Sequence, residues 1–235
     1  MRRKPLSGRA LKEGIYDLLK SADFDRAFQE LCQHPSRKVI NPLFSFLHNT
    51  NQDVKWAAVK AMGAIVAKMA DEDMESARGI MRRLMWNLND ESGGIGWGSP
   101  EAMGEILANH EGLAKEYAHI LISYTRKDGN YLEHEILQRG LLWGIGRLCQ
   151  VRPYLMQDAA PYLAPYLKSP DATVRGLATW VVGLLGLKEA RSWLQRHKND
   201  KSQIQIYMKR SLITCRVMDM VKQALHAIKE GADKP

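Results

Sequence analysis

The sequence predicts an all-α fold, a right-handed superhelix of about five helical hairpins stacked one on the next. Three observations carry that expectation. Apolar residues recur at intervals of three and four, as in Leu11, Ile15, Leu18 and Leu19, which is the spacing of one helix face. Four segments resemble one another in a single register and end in glycine, at Gly63, Gly104, Gly146 and Gly183. No stretch of the chain reads as a strand.

The repeat is plainest in two segments, Val54–Gly63 and Val174–Gly183, which place small or apolar residues at matching offsets. Leu137–Gly146, through Leu142 and Ile145, and Ile95–Gly104, through Ser99, Ala102 and Met103, are looser copies. The final glycines lie 37 to 42 residues apart, room for two helices and their turns. With Lys55, Gln138 and Arg175 as offset zero, offsets −1, 3, 6 and 7 share one helix face. That face is apolar with small members, so a partner helix can come close. Glycine at offset 8 costs up to about 1 kcal/mol of helix propensity. Its recurrence predicts a neighbouring helix or a bulky ring lying over it.

The first helix of each pair falls near 39–48, 75–88, 112–125 and 157–168. These segments end in polar turns such as His48–Asp53 and Lys168–Thr173, whose proline and aspartate stop one helix and cap the next. The organisation expected is a single repeat domain over 1–235, with repeats at about 36–70, 75–110, 112–150, 153–187 and 188–215. Terminal helices at about 9–33 and 216–229 act as caps with one polar face, the last helical stretch opening near 203.

Composition narrows the class of protein. Hydrophobic residues make up 45% of the 235, enough for a continuous core, and the mean hydropathy is −0.35. No apolar run reaches the roughly 18 residues of a membrane span. The basic opening Met1–Pro5 leads into an amphipathic stretch instead of a secretory apolar segment, so a cytoplasmic protein is expected. Cys32, Cys149 and Cys215 are odd in number and far apart, which fits reduced, buried thiols better than a disulfide framework.

The net charge is +8 and unevenly placed. Arg2, Arg3, Lys4, Arg9 and Lys12 crowd the first dozen residues. Lys188, Arg191, Arg196, Lys198, Lys201, Lys209, Arg210 and Arg216 crowd 188–216, against Glu189 and Asp200. Solvated helix surface accounts for such charge, and an acidic partner such as nucleic acid is the alternative.

Ser169-Pro170-Asp171-Ala172-Thr173-Val174-Arg175, followed by Gly186-Leu187-Lys188-Glu189-Ala190 and Leu194, resembles the bacterial HEAT repeats of the PBS-lyase type. The match is good over about 169–206, fair over 41–69 and looser between. The resemblance implies a HEAT-like solenoid whose second helices line a concave surface. That family is functionally diverse, so the fold names no activity.

A stripe of tryptophans is the main candidate site. Trp56 stands at offset 1, and Trp143 and Trp180 at offset 5, on one helix face. Trp97 aligns at offset 1, although its helix opens only at Ser99. Lys60, Glu101, Glu105, Arg139 and Arg147 share or border the stripe, and salt bridges from Glu101 and Glu105 to Arg139 or Arg147 of the next repeat are the ordinary arrangement. Two readings stand side by side. The stripe is a groove with aromatic anchors for a peptide or helix, or its rings pack between repeats over the glycines.

The glycine-rich stretch Asp90–Glu101 replaces the usual turn. It is read either as a long turn seating Trp97 or as an anion-binding loop, with Ser99 as N-cap and Pro100 at the first helical position. It lacks the strand and the Gly-Lys-Ser/Thr of a nucleotide phosphate loop.

His110-Glu111 and His134-Glu135 resemble the dyads of HEAT-like di-iron hydroxylases, but they fall near helix ends and not inside a second helix, so no metal or cofactor is expected. No Ser/His/Asp or Cys/His constellation is present. Met103–Leu107 with His110, and Leu137-Gln138-Arg139, loosely resemble the HEAT-like DNA glycosylases of alkylation repair. That resemblance implies Arg139 on a phosphate, with Trp97, Trp143 or Trp180 stacking nearby. The acidic residue of such enzymes aligns near Gly96 and is missing, Glu101 lying a turn later. The leading expectation is a non-enzymatic scaffold that binds a protein or peptide partner in a groove lined by Trp56, Lys60, Trp97, Glu101, Glu105, Arg139, Trp143, Arg147 and Trp180. The competing one is an inactive, basic-groove nucleic-acid-binding relative of the glycosylases.

Overall fold

The computed structural model describes residues 8–21, 23–89 and 96–232. The chain divides between His110 and Glu111 into two compact units.

The first unit contains α1 (Gly8–Leu19), α2 (Phe24–Gln33), α3 (Ser36–Phe46), α4 (Gln52–Glu72), α5 (Met74–Asn89) and α6 (Ser99–Asn109). Helix α4 is its axis, packed by α3, α5 and α6 and touched by both α1 and α2. Val54, Ala58, Ala61, Met62 and Ile65 are all fully buried, so α4 is apolar on most of its circumference. Its start is fixed by Asn51, whose side-chain oxygen accepts from the N–H groups of Asp53 and Val54 at 2.9 and 3.4 Å.

Helix α6 opens on a tight turn in which the Ser99 N–H donates to the Gly96 carbonyl at 2.9 Å. The expected cap shifts by one residue. Gly98 takes the cap position at φ 82°, leaving Ser99 and Pro100 as the first helical residues. A Cβ on Gly98 would lie 2.8 Å from the Leu47 carbonyl carbon, so only glycine fits both the dihedral and the approach. Positions 90–95 of the glycine-rich stretch lie outside the described residues.

The second unit begins with α7 (Glu111–Ser123) and α8 (Glu135–Val151). The helix expected over 157–168 is instead two 3-10 turns, Pro153–Leu155 and Gln157–Tyr162, and the single-turn α9 (Ala164–Leu167). Pro153, Pro161 and Pro165 remove backbone donors that an unbroken helix would need. Then come α10 (Ala172–Leu185), α11 (Arg191–Arg196), β1 (Gln203–Met208), β2 (Ser211–Arg216) and α12 (Val217–Ala232). Helix α10 is the axis here, packed by α8, α9, α12 and β1.

The strands correct the expectation of a purely helical repeat over 188–215 and of a last helix opening near 203. They form an antiparallel hairpin in register from Gln203↔Arg216 to Met208↔Ser211. The reason is local: Ile204 and Ile206 alternate with Gln203 and Gln205, and the isoleucines are buried while the glutamines are exposed. Lys209 and Arg210 make the two-residue turn at φ 50° and 67°, without the glycine or asparagine that usually announces it.

The four recurrent glycines sit on α4, α6, α8 and α10, the second helix of each pair. A Cβ on Gly63 would lie 2.5 Å from Cγ of Glu105 on α6. On Gly146 it would lie 2.5 and 2.8 Å from Cε3 and Cη2 of Trp180 on α10, and on Gly183 2.9 Å from Cα of Ala224 on α12. At Gly63, Gly146 and Gly183 a later helix overlies the second helix, through a side chain or the backbone, as the repeat predicts. The lost helix propensity, about 1 kcal/mol each, is offset by contacts a methyl group would block.

Gly146→Ala should therefore destabilise the protein by about 1–3 kcal/mol through overpacking against Trp180. Urea unfolding should show a lower midpoint at unchanged slope, and a smaller residue at 180 should recover part of the loss. An unshifted midpoint would disprove the close approach.

Candidate functional site

Two carboxylates on α6 are aimed at two lysines on α4. The Lys55 Nζ donates to Glu101 Oε1 at 2.7 Å, and the Lys60 Nζ donates to Glu105 Oε1. A four-residue spacing puts Glu101 and Glu105 on one face of α6. Glu105 is 1% exposed and also accepts from Asn109 Nδ2 at 2.9 Å. A carboxylate taken out of water costs several kcal/mol unless it is paired and hydrogen-bonded, and here it is both. These two partners are lysines of the preceding repeat, and Arg139 is engaged with Asp171 instead.

Equivalent links run through the second unit. Arg139 on α8 grips Asp171 with Nε, at 3.2 and 3.1 Å, and with Nη2. Asp171 is also the N-cap of α10, accepting from the Val174 N–H at 2.9 Å. Arg175 on α10 donates to Asp200 at 3.1 and 2.9 Å and to the carbonyl oxygens of Ser169 and Pro170. Asp200 in turn holds the entry to the hairpin, accepting from the Ser202 N–H at 3.0 Å. Burial pushes both aspartates upward, but hydrogen bonds outweigh it, from Arg139 and Val174 on one and from Ser202 and Arg175 on the other. Both carboxyls end below their ordinary range.

The four tryptophans of the expected stripe separate into three packing rings and one surface ring. Trp56 and Trp143 are 8% and 4% exposed, which removes them from any open groove. Lys55 lies over the Trp56 ring at 5.1 Å. Trp143 donates from Nε1 to the Tyr207 carbonyl at 2.8 Å, fastening α8 to the hairpin. Trp180, half-buried, covers Gly146. Trp97 is 38% exposed at the mouth of α6. Arg147 is half-buried on α8.

Trp86, 74% exposed on α5, was not among the expected site residues. Its position was readable, since Ala77, Met81, Leu84 and Leu88 form the buried stripe of α5 and Trp86 lies off it. Nearby, Arg83 lies 3.9 Å over the Phe44 ring and lines a shallow cleft of about 210 Å³ with Arg37, Asn41, Ser76 and Gly79.

His110 ends α6 and pairs with Asp71 at 3.4 Å, while His134 caps α8, accepting from the Ile136 N–H at 3.2 Å. Among the described residues, no three His, Cys, Asp or Glu side chains come together as metal ligands would. The cysteines are free thiols, and burial pushes Cys149 up to about 12, far from thiolate chemistry at neutral pH. No helix among the described residues is long and apolar enough to cross a membrane.

Two tests follow. Lys60→Met leaves the Glu105 charge buried without its ammonium and should cost roughly 3 kcal/mol. The Lys60→Met/Glu105→Leu pair should restore much of it, and additive losses in this cycle would refute the coupling. The lowered aspartates add stability that is present above the unfolded value near 3.9 and lost as pH falls below it toward their folded values. Asp171→Asn keeps the helix cap, so it should flatten the loss of thermal midpoint below about pH 4; an unchanged acid limb would remove Asp171 from that account.

A family model described as a HEAT-like repeat matches residues 135–185, which hold α8, α9 and α10. A protein of Archaeoglobus fulgidus, itself uncharacterized, is 23% identical over 188 residues, spanning 76% of this chain and 91% of its own length. Among solved structures, an engineered protein matches with a TM-score of 0.53 at 16% identity, over 94% of this chain and 97% of its own. A designed armadillo repeat protein in complex with the peptide (KR)4 matches with a TM-score of 0.51 at 16% identity, over 93% and 99%. At such identities the structures speak for the fold alone. The chain thus carries a HEAT-like repeat over 135–185, and the likeness to solved repeat proteins extends an all-α solenoid fold over nearly its whole length.

Proposed function

We propose that this protein is a non-enzymatic scaffold that docks a protein or peptide segment on its second helices. The observation that carries the reading is Trp97, an indole left open at the mouth of a helix that is otherwise buried along its length. The turn from Gly96 to Ser99 is held by its own hydrogen bond and by contact with Leu47, so the ring is presented from a rigid support. A fixed, amphipathic aromatic loses little entropy on binding and is a frequent anchor of interfaces. The buried pairs Lys55–Glu101 and Lys60–Glu105 hold that support in register. They orient the helix and do not meet the partner directly.

Repeat scaffolds of this class present one long surface to extended partners. The designed armadillo neighbour was solved with a basic peptide. This chain carries a net charge of +8, and its two α6 carboxylates are already engaged, so a basic peptide is the wrong complement here.

The test is selection of binding peptides from a displayed library on the purified chain, followed by Trp97→Ala. Removal of the anchor should weaken the selected peptides by roughly 1–2 kcal/mol, about five- to thirty-fold, with helicity and thermal midpoint unchanged. Trp86→Ala, on a first helix, should leave binding intact. Equal affinity of the Trp97→Ala variant and the parent would refute docking at this ring.

A further inference from the structure

Besides the cations of the first dozen residues, the surplus positive charge of this protein is concentrated in one short stretch. From Lys188 to Arg216 there are eight cations and two acids. All eight cations are exposed. Asp200 is held by Arg175 and, among the cations, Arg216 by Asp219, both of these partners lying outside the stretch.

That stretch contains the hairpin, and its two faces differ. Ile204 and Ile206 turn inward. The cross-strand pairs of the opposite face, Gln203↔Arg216 and Gln205↔Thr214, are exposed, giving way to half-buried Tyr207↔Leu212 toward the tip. At the tip Lys209 and Arg210 both occupy the left-handed region, where a non-glycine residue is strained. An Asn-Gly turn would relieve that strain. Two long cations stand there instead, at the point of the hairpin farthest from its base. The ribbon is fastened at both ends: the Val217 N–H donates to the Ser202 carbonyl at 3.1 Å at its base, and Trp143 holds the Tyr207 carbonyl at 2.8 Å just before the turn.

A rigid two-stranded ribbon with a polar face and a cationic tip matches the major groove of B-form DNA in width and in charge. The deep, narrow major groove of A-form RNA excludes it. An acidic protein surface would want an open apolar centre on the same face, and the exposed part of this one offers Gln, Thr and Arg. We propose that the 203–216 hairpin is a duplex-DNA-binding ribbon. Lys209 and Arg210 contact phosphates at its tip, and Arg196, Lys198 and Lys201 meet the backbone beside it. This site is independent of the docking surface proposed at Trp97.

The experiment is titration of the full chain with a labelled mixed-sequence duplex at about 50 and 200 mM salt, read by fluorescence anisotropy. The informative variant is Lys209→Asn/Arg210→Gly, which installs the preferred turn and so should leave the unfolding midpoint unchanged or raised. It should weaken binding roughly ten-fold at the lower salt and reduce the log–log salt slope by about two. Absence of duplex binding at the lower salt would overturn the proposal. So would a variant with the parent's affinity and slope, or retention of poly-glutamate as tight as that of DNA.

Discussion

The close approach of successive second helices is the constraint on which the rest of this structure depends. Where Gly63 meets Glu105 and Gly146 meets Trp180, no β-carbon fits between one helix and its neighbour's side chain. That intimacy decides what can stand at the seam. A carboxylate whose Cγ lies against a helix backbone cannot reach bulk water, and it must bring its counter-ion from the adjoining helix, as Glu105 does with Lys60. A ring laid over a glycine has lost its own surface, which is why Trp180 cannot serve as a fully open anchor.

The two units handle charge differently. In the first, lysines on α4 are matched to carboxylates on α6, and little charge is left over. In the second, the links Arg139–Asp171 and Arg175–Asp200 engage some of the acids available, and a surplus of cations faces solvent around α11 and the hairpin. Internal pairing supports shape, and surplus charge acts at a distance.

Much of the architecture was legible because a repeat states its own register. The glycines placed the second helices, the amphipathic stretches placed α3, α5 and α7 to within a few residues, and the polar turns located the cap Asp171, whereas the cap of α4 is Asn51 and not the aspartate of its turn, Asp53. The prolines at 153, 161 and 165 were visible too, yet the apolar pattern around them outweighed their meaning. The hairpin was hidden because Lys209-Arg210 carries no turn signature and its strands are only six residues long. At the site, periodicity identified the face bearing the tryptophans but not its exposure, since a helix buried on most sides shows the same spacing as a surface one. The partners of Glu101 and Glu105 depended on the stagger between helices, which no single repeat contains.

In a helical repeat array each element ordinarily touches only its immediate neighbours, so loss of order can spread inward one step at a time. The indole of Trp143 breaks that rule. By gripping the Tyr207 carbonyl, it joins α8 to a strand two elements beyond α10, which itself packs on both. Three successive layers are thereby closed into a loop of mutual support, and fraying from the C-terminal side must disturb the middle of the unit before the end can come free. The second unit is thus built to melt as a block, with an all-or-none character that a plain stack of hairpins would lack.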